Sequence, residues 1–292
     1  MHGGLGRRLA IVGAVTLLVA GAGTWWVGSI LIAPAVRSIA APPASLDARE
    51  VTFSSSSGST LHGWLVPGQS KGGGVVLAHS VRSDRREMIG RAEFLRASGY
   101  SLLLFDQQAH GASPGENITF GYLESLDARA AVAYVRSELP DERVGYLGVS
   151  QGGAAALIGS EPLEVDALIV EAVYPTLREA VTNRVALRLG PVSRLVAPFL
   201  LVQSGLRIGV DPDSIAPIHG IADIRAPLLL IAGARDRHTT LAESERMFAA
   251  AREPKELWVL REAAHQNFHE LEPRGYEQRV LEFFAKHLRM AR

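Results

Sequence analysis

The sequence contains no cysteine in its 292 residues. This absence excludes disulfide bonds, thiolate catalysis and cysteine zinc sites, and it leaves the chain indifferent to an oxidising compartment. There is also no surplus of charge of one sign, because 30 Lys and Arg residues are balanced by 30 Asp and Glu residues. The sequence has no basic block and no alternation of aromatic and basic residues, so it does not indicate a nucleic-acid partner.

The beginning of the chain, in contrast, has a long run without charge. This run extends from Leu9 to Val36 and is dominated by apolar residues as far as Ile32. At the rise of an α-helix it is long enough to cross a bilayer. Trp25 and Trp26 lie toward its far end, and indole rings favour the interface between lipid and water. We therefore predict a membrane-spanning helix here.

Two fates of this helix stay open. An uncleaved anchor is favoured, because the apolar run is longer than the hydrophobic region of most signal peptides. The alternative is a cleaved signal peptide, with Ala20 and Ala22 as the small residues of its cleavage site. Arg7 and Arg8 should keep the N-terminus in the cytoplasm. We expect a single-pass protein of the cell membrane with an extracytoplasmic domain, or a secreted or periplasmic domain after cleavage.

The chain is accordingly divided into three parts. Residues 1–37 form a cytoplasmic stub and the transmembrane anchor, and residues 38–49, which include Pro42 and Pro43, form a linker. Residues 50–292 remain for one large domain, whose size permits a substantial hydrophobic core. No internal repeat of solenoid length is visible in it.

Apolar runs and helical patterns alternate along this domain. Strands are predicted at 50–53, 60–66, 75–78, 101–105, 143–149, 167–173, 228–232 and 256–260. Helices are predicted between Asp84 and Gly99 and at 122–139, 241–251 and 273–288. This alternation predicts an α/β fold with a mostly parallel, doubly wound sheet and helices on both faces. Sites in such sheets form at the carboxyl ends of the strands.

Two segments carry further expectations. In the 122–139 helix, four side chains are expected to face the core: Leu123, Leu126, Ala130 and Tyr134. Between Pro175 and Pro227 the alternation stops, and arginines are interleaved with leucines and other apolar residues. We interpret residues 175–226 as a short helical lid inserted over the site.

A glycine-rich turn follows the 143–149 strand. Its sequence Gly148-Val149-Ser150-Gln151-Gly152 has the G-x-S-x-G pattern between a strand and a segment of small residues. Such a turn holds the serine in a strained conformation with its hydroxyl exposed. The hydroxyl then lies at a helix N-terminus, where free N–H groups favour negative charge. Ser150 is therefore the candidate nucleophile.

A serine hydroxyl needs a base to take its proton and a third group to orient that base. On this scaffold the partners follow in the order serine, acid, histidine. Asp236 and His265 each come just after a predicted strand, so both are expected at the same sheet edge as Ser150. Glu171, a carboxylate inside an apolar strand, is the competing acid, and His238 is a competing partner for Asp236.

A metal site is the other interpretation of these histidines. His265 and His269 are four residues apart and are flanked by Glu262 and Glu270. No third ligand follows at a convincing interval. We therefore expect neither a metal nor a cofactor.

Acyl-transfer chemistry also needs two N–H donors for the developing oxyanion. One is expected from Gln151, the residue after the nucleophile. The other is expected from the loop after the 75–78 strand, at Val81, with Ser80 as the alternative. His79 and His110 border the same site, and we interpret them as residues that fix loops by hydrogen bonding.

Together these motifs resemble the α/β-hydrolase superfamily, and within it the esterase and serine-peptidase-like branch. The matching stretches are 79–80, 106–113, 148–153, 227–236 and His265, and the similarity extends from about Val51 to the C-terminus. The resemblance implies a Ser-His-Asp triad. It does not imply one substrate, because relatives hydrolyse esters, thioesters, lipids or peptides, and some do no chemistry.

The chain departs from the pattern of the superfamily in two places. His79-Ser80 stands where the superfamily usually has His-Gly, so either the oxyanion turn differs or the Ser80 hydroxyl enters the site. Gln108 and Ala109 stand in the middle of the loop after the 101–105 strand, where we expect them to alter only packing.

These observations lead to one functional hypothesis and two alternatives. We expect a membrane-anchored serine hydrolase that cleaves a carboxylic ester, with a lipid-derived ester favoured by the anchor and the apolar lid. A peptidase of short peptides is the first alternative, and a non-catalytic binding protein with the same fold is the second. The expected partners are a small acyl substrate and, through the N-terminal helix, a lipid bilayer. The sequence predicts no oligomeric state.

Overall fold

The structure is a computed structural model that describes residues 3–289, with side chains 3–6, 9, 10, 16, 17 and 20 left outside the description. Residues 1–2 of the predicted stub therefore lie outside the described residues. The strands are β1 Ala35–Val36, β2 Arg49–Ser54, β3 Thr60–Val66, β4 Gly74–Ala78, β5 Ser101–Phe105, β6 His110–Gly111, β7 Val144–Val149, β8 Ala167–Glu171, β9 Leu228–Gly233 and β10 Lys255–Leu260. The α-helices are α1 Gly3–Ile32, α2 Ile89–Ala97, α3 Tyr122–Glu138, α4 Gln151–Leu157, α5 Leu177–Leu189, α6 Ser193–Ile208, α7 Pro217–Ile221, α8 Leu241–Ala250, α9 Phe268–Leu271 and α10 Pro273–Leu288.

Eight of the strands form one sheet, in the order β10-β9-β8-β7-β4-β5-β3-β2. The pairs from β10 to β5 are parallel, and β3 pairs antiparallel with both β5 and β2. The predicted α/β-hydrolase fold, with a mostly parallel sheet and helices, is confirmed. Because β4, β7, β8, β9 and β10 all run in one direction, the loops after them converge at one edge of the sheet.

Helices cover both faces of this sheet. Strand β4 is buried over its whole length, with Val76 packed in the core on one face and Leu77 in the core on the other. One core contains apolar residues of α3, α4 and α8, and the opposite core contains those of α2 and α10. A strand buried on both faces reads as the continuous apolar run that the sequence shows.

The inward face of α3 differs from the predicted one. Its buried residues are Glu124, Ser125, Asp127, Ala128, Ala131, Val132 and Val135. The four predicted residues are only partly buried: Leu123, Leu126, Ala130 and Tyr134. Of these, Ala130 and Tyr134 do pack against the core, as predicted. The difference has a physical cause, because loop groups donate hydrogen bonds to the buried carboxylates of Glu124 and Asp127. Burial of these polar groups, when they are paired, overrides the apolar pattern.

The predicted lid region folds as α5, α6 and α7, with α5 and α6 packed against each other. Among the stretches whose side chains are all described, which leaves out most of α1, Leu177–Ile208 is the one that is long and apolar enough to cross a membrane. It is not one straight rod, since a 3-10 turn at Gly190–Val192 separates α5 from α6. In this fold the two helices cover the sheet edge that carries Ser150.

The N-terminal segment is attached to the domain rather than separate from it. Strand β1 pairs in parallel with β6, a strand of the loop after β5. The Arg82 side chain donates hydrogen bonds to the carbonyls of Ile30 and Ala33, at the end of α1. Within the stretch predicted as a linker, Leu46 is fully buried in the core. The predicted division at residues 37 and 49 and the membrane role of α1 stay predictions.

Candidate active site

The turn between β7 and α4 holds Ser150 in a rarely adopted backbone conformation, with φ of 49° and ψ of −110°. Strain of this kind persists only where the surroundings impose it. A Cβ on Gly148 would lie 2.5 Å from the backbone of Gly152 and Gly153, and one on Gly152 would lie 2.5 Å from the carbonyl oxygen of Ala78. The two glycines thus allow the strand, the turn and the helix to approach closely.

The Ser150 side chain is buried, and its hydroxyl has no hydrogen-bond partner among the described residues. The Ser150 N–H donates to the carbonyl of Glu171 on the neighbouring strand at 2.7 Å, which fixes the backbone. The hydroxyl borders a cavity under the lid. Because an unpaired buried hydroxyl is costly, its position indicates a group kept free for a ligand.

Asp236 and His265 are hydrogen-bonded to each other, with 2.7 Å between Asp236 Oδ2 and His265 Nδ1. The other carboxylate oxygen, Oδ1, accepts hydrogen bonds from the N–H groups of His238 and Thr239, at 2.7 and 2.9 Å. This carboxylate is nearly fully buried, whereas the imidazole is 22% exposed. The bond to Nδ1 leaves Nε2 of His265 as the nitrogen that can exchange a proton with a substrate or a hydroxyl.

His238 does not occupy the position of the base. Its ring lies edge-on to the His265 ring, with 4.8 Å between the centroids. Burial and the neighbouring His265 lower the pKa of His238. Ligand atoms of Asp236, His238 and His265 lie within 4.8 Å of one another, so they could group around a metal ion. However, each oxygen of the Asp236 carboxylate already accepts a hydrogen bond, which suits orientation of a histidine better than metal binding.

Ser150, Asp236 and His265 follow β7, β9 and β10 at the same edge of the sheet. The structure therefore brings Asp236 and His265 into contact at the edge where the Ser150 hydroxyl opens. It contains no hydrogen bond between the serine and the imidazole, so that third link stays a prediction. Catalytic hydrogen bonds are often long in unliganded enzymes and shorten when substrate binds.

The loop after β4 places Val81 beside Ser150, and both line the same cavity together with Gln151. The Ser80 N–H and the Ser80 hydroxyl both donate to Glu87 Oε2, at 2.9 and 2.8 Å. Ser80 is therefore engaged away from the site, which leaves Val81 as the candidate donor in this loop. Glu87 thereby ties down the loop that carries Val81.

His79 and His110 are hydrogen-bonded as loop-fixing residues would be. His79 Nε2 accepts from the N–H of Gln107 at 3.1 Å, and His110 Nδ1 lies 2.8 Å from the carbonyl oxygen of Gln108. Burial and the adjacent His79 lower the pKa of His110 to about 3. An imidazole that stays neutral at ordinary pH suits a structural position.

Glu171, the competing acid, lies on the opposite face of the sheet. Its carboxylate accepts a hydrogen bond from Arg91 at 2.7 Å and another from the Tyr276 hydroxyl. The opposite charge of Glu171 and the Tyr276 contact keep the pKa of Arg91 above its ordinary value despite burial. The structure thus assigns Glu171 to a buried ion pair and leaves Asp236 as the carboxylate that contacts His265.

A mostly apolar cavity of about 230 Å³ lies between Ser150 and the lid. Its walls come from the end of α1, the loops after β4 and β7, Phe120, Tyr174 and the inner faces of α5 and α6. Leu31, Val181, Leu200 and Ser204 are among the lining residues. The side-chain amide of Gln151 is buried there without a partner among the described residues, so it is available to a bound molecule.

Comparison with protein families bears on this arrangement. Residues 69–215 match the family described as serine aminopeptidase, S33. The chain belongs to that family. The matched residues include Val81, Ser150 and Gln151 and end before Asp236 and His265. Asp236 and His265 are supported instead by the hydrogen bond between them, which does not depend on the family match.

Individual proteins are similar over most of this chain. A protein of Mycobacterium tuberculosis is 29% identical over 269 residues, which cover 89% of both chains. A second protein of that species is 30% identical over 223 residues, or 75% of this chain and 73% of the relative. The solved structure of an esterase from Pyrococcus furiosus has a TM-score of 0.72 and 26% identity, and the alignment covers 87% of this chain and 99% of the esterase. The chain is thus an α/β-hydrolase with esterase-like structural neighbours.

Some residues of the site were not predicted. Leu31 belongs to the predicted anchor, and nothing in its neighbourhood indicates that a residue before the domain lines the cavity. Arg82 and Glu87 position the loop of Val81, and only their proximity to His79 in the sequence hints at that role. Such contacts depend on tertiary packing, which a local pattern does not encode.

Proposed function

We propose that this protein is a serine hydrolase that cleaves carboxylic esters at Ser150. The observation that carries the proposal is the Asp236–His265 hydrogen bond at the sheet edge where a strained, unpaired serine hydroxyl opens into an apolar cavity. Two of the three catalytic side chains, Asp236 and His265, are in contact, and the Ser150 hydroxyl is free to donate its proton to His265 when substrate binds. The family membership supports the same reaction class.

The reaction proceeds in two halves. Ser150 Oγ attacks the carbonyl carbon of the ester while its proton passes to His265 Nε2, and Asp236 stabilises the resulting imidazolium. The N–H groups of Val81 and Gln151 donate to the oxyanion, a contribution worth about 3 kcal/mol for each donor in related chemistry. His265 then gives the proton to the departing alkoxide. Water attacks the acyl-enzyme by the same route and releases the acid and Ser150.

The cavity favours an ester with an apolar acyl group. Its apolar lining from α1, α5 and α6 suits a hydrocarbon chain, and 230 Å³ accommodates roughly eight groups of the size of water or methylene. The esterase of Pyrococcus furiosus supports an ester over an amide. A peptidase of short peptides is the second candidate, because the matching family is described as serine aminopeptidase. A non-catalytic binding protein is disfavoured by the contact between Asp236 and His265.

The proposal includes membrane attachment through α1. This helix is 30 residues long, it carries exposed Trp25 and Trp26, and an arginine pair precedes its apolar run. Such a helix is long enough to cross a bilayer with its indoles at one interface. The arginines place its start in the cytoplasm and the hydrolase domain on the other side of the cell membrane.

Active-site labelling tests the reaction class. The full chain, purified in detergent, should react with a fluorophosphonate probe, and Ser150→Ala should abolish the labelling while Ser137→Ala, on the exposed side of α3, should not. Asp236→Asn should lower kcat about 10³ to 10⁴-fold without loss of folding. Labelling that persists in Ser150→Ala would identify a different nucleophile. Turnover of p-nitrophenyl esters against aminoacyl amides separates the esterase from the peptidase.

A further inference from the structure

The exposed apolar side chains of this protein are concentrated in one region. Among the described residues, all but Val36, Tyr122 and Leu271 of the exposed large apolar side chains lie on α1 or on the hairpin of α5 and α6. Single exposed apolar residues are ordinary, whereas a continuous group of them marks a surface that meets something apolar.

Helix α6 contributes a stripe of four such residues. Leu195, Phe199, Val202 and Leu206 are each between 62% and 76% exposed. Their spacing of four, three and four places them on one face of the helix. We call these four residues the outer stripe. The opposite face of α6 is also apolar, since Ala197, Leu200 and Leu201 are buried against the domain.

A helix that is apolar on both sides is normally covered on both sides. The inner side of α6 covers the cavity of Ser150, so its apolar residues are explained. Helix α1 packs against α6, whose outer stripe is exposed. There Gln203 donates to the Thr24 hydroxyl, and the Arg207 guanidinium lies 3.8 Å from the centre of the Trp25 ring.

The N-terminal part of α1 extends away from the domain. A Cβ on Gly13, Gly21 or Gly23 would meet open space, and the described apolar side chains of α1 from Ile11 to Val19 are exposed. The domain therefore contacts the C-terminal part of α1, from about Trp25 onward, where indoles mark the membrane interface. The C-terminal half of α6, which carries Val202 and Leu206, lies at the level of Trp25, since Arg207 contacts it there.

The charges around the stripe favour the same surroundings. Between residues 177 and 208 the chain has five arginines and one glutamate. Arg188 at the end of α5 and Arg194 at the start of α6 are exposed. A helix with an apolar face and arginines next to it is the pattern of a segment that lies in the headgroup region of an anionic membrane.

We propose that the outer stripe of α6 inserts into the same lipid bilayer that holds α1. This inference depends on the membrane attachment proposed above. It follows that the lid rests on the membrane surface, with its inner face toward Ser150 and its outer face toward lipid. Since Leu31, Leu200 and Ser204 line the cavity between α1 and α6, the cavity adjoins the bilayer, and an amphiphilic ester can reach it from the lipid phase.

The lack of cysteine makes the proposal directly testable, because single-cysteine variants can be labelled at one chosen site. The full-length variants Phe199→Cys and Val202→Cys are each labelled with an environment-sensitive fluorophore. They are then reconstituted into vesicles of phosphatidylcholine and phosphatidylglycerol. Ser137→Cys, exposed on α3, is the matched control, and Leu18→Cys reports on α1. We expect brominated lipid to quench the labels at 199 and 202 at least threefold more than the label at 137, and aqueous iodide to show the reverse order.

The label on α1 separates this inference from the one it depends on. Quenching by brominated lipid at position 18 but not at 199 or 202 would leave the anchor intact and overturn the docking of the lid. No quenching at position 18 would overturn the anchor itself. Labels at 199 and 202 that iodide cannot reach and brominated lipid does not quench would show that a second copy or another protein covers the stripe, and the inference would fail.

An activity measurement checks the consequence for substrate. Replacing Phe199 and Val202 together by serine removes much of the outer stripe without touching the cavity. We expect about tenfold slower hydrolysis of an ester presented in vesicles, and an unchanged rate with the water-soluble p-nitrophenyl acetate. Equal rates on vesicles for the variant and the native chain would contradict the proposed entry from lipid.

Discussion

Removal of one partner from the buried ion pair should destabilise the protein strongly without affecting the chemistry. Arg91 and Glu171 have side chains that are each 1% exposed, and they contact each other at 2.7 Å. Arg91→Met leaves the Glu171 carboxylate buried without its counter-charge. Breaking such a pair costs about 3–5 kcal/mol in unfolding free energy. For a domain of this size the loss corresponds to a fall in Tm of roughly 6 to 20 °C.

A surface pair provides the comparison. Arg178 and Asp213 also contact each other at 2.8 Å, but their side chains are 52% and 58% exposed. Arg178→Met should cost less than about 1 kcal/mol, because solvent screens the interaction. Urea unfolding monitored by tryptophan fluorescence measures both variants. Similar losses for Arg91→Met and Arg178→Met would refute the argument that burial determines the cost.

The double variant Arg91→Met with Glu171→Leu tests the remaining part of the reasoning. Replacing both charges by apolar groups should recover most of the stability lost in Arg91→Met. If Asp236 is the acid of the triad, the refolded double variant should keep kcat within about threefold of the native value. A loss of activity near that of Asp236→Asn would restore Glu171 as the catalytic acid and contradict the site described here.

Two further predictions concern the cavity and a buried histidine. Val181→Trp should fill the cavity and lower kcat/KM for p-nitrophenyl octanoate at least tenfold, while kcat/KM for p-nitrophenyl acetate stays within about twofold. The control Ala133→Trp, exposed on α3, should leave kcat/KM for both esters unchanged. Burial holds the pKa of His110 at about 3 in the folded chain, below its ordinary value of 6.5. As the pH falls between these two values, the unfolded chain binds a proton that the folded chain does not bind, so the folded state loses stability. Relative to His110→Asn, the native chain should lose about 3 kcal/mol of stability between pH 7 and pH 4, and a constant difference across that range would contradict the pKa shift.

The strands and the serine turn were predictable from the sequence because their signals are local. The 60–66 and 101–105 strands have the predicted bounds. The second is buried over its whole length, and a fully buried strand appears as a short apolar run between turn residues. The strained turn at Ser150 needs glycines at fixed offsets, and those offsets are visible in the sequence. Asp236 and His265 followed from the rule that sites lie at the carboxyl ends of parallel strands.

The features that escaped prediction depend on contacts between distant parts of the chain. The partners of Glu171 are Arg91 and Tyr276, which are 80 and 105 residues away. A carboxylate in an apolar strand shows that a partner must exist, but it does not show where. The buried face of α3 was misassigned for the same reason, because the groups that satisfy Glu124 and Asp127 come from loops outside the helix.

The pairing of β1 with β6 has a practical consequence for how this protein is produced. A fragment that starts at residue 46 would fold without Leu31, one wall of the cavity, and would expose the edge of His110 and Gly111 that β1 now covers. The substrate profile measured with such a fragment would then reflect a cavity with a wider opening than the cavity of the intact protein. Fragments intended for assay should begin upstream of Thr24, so that the last turns of α1 remain packed against α6 of the lid.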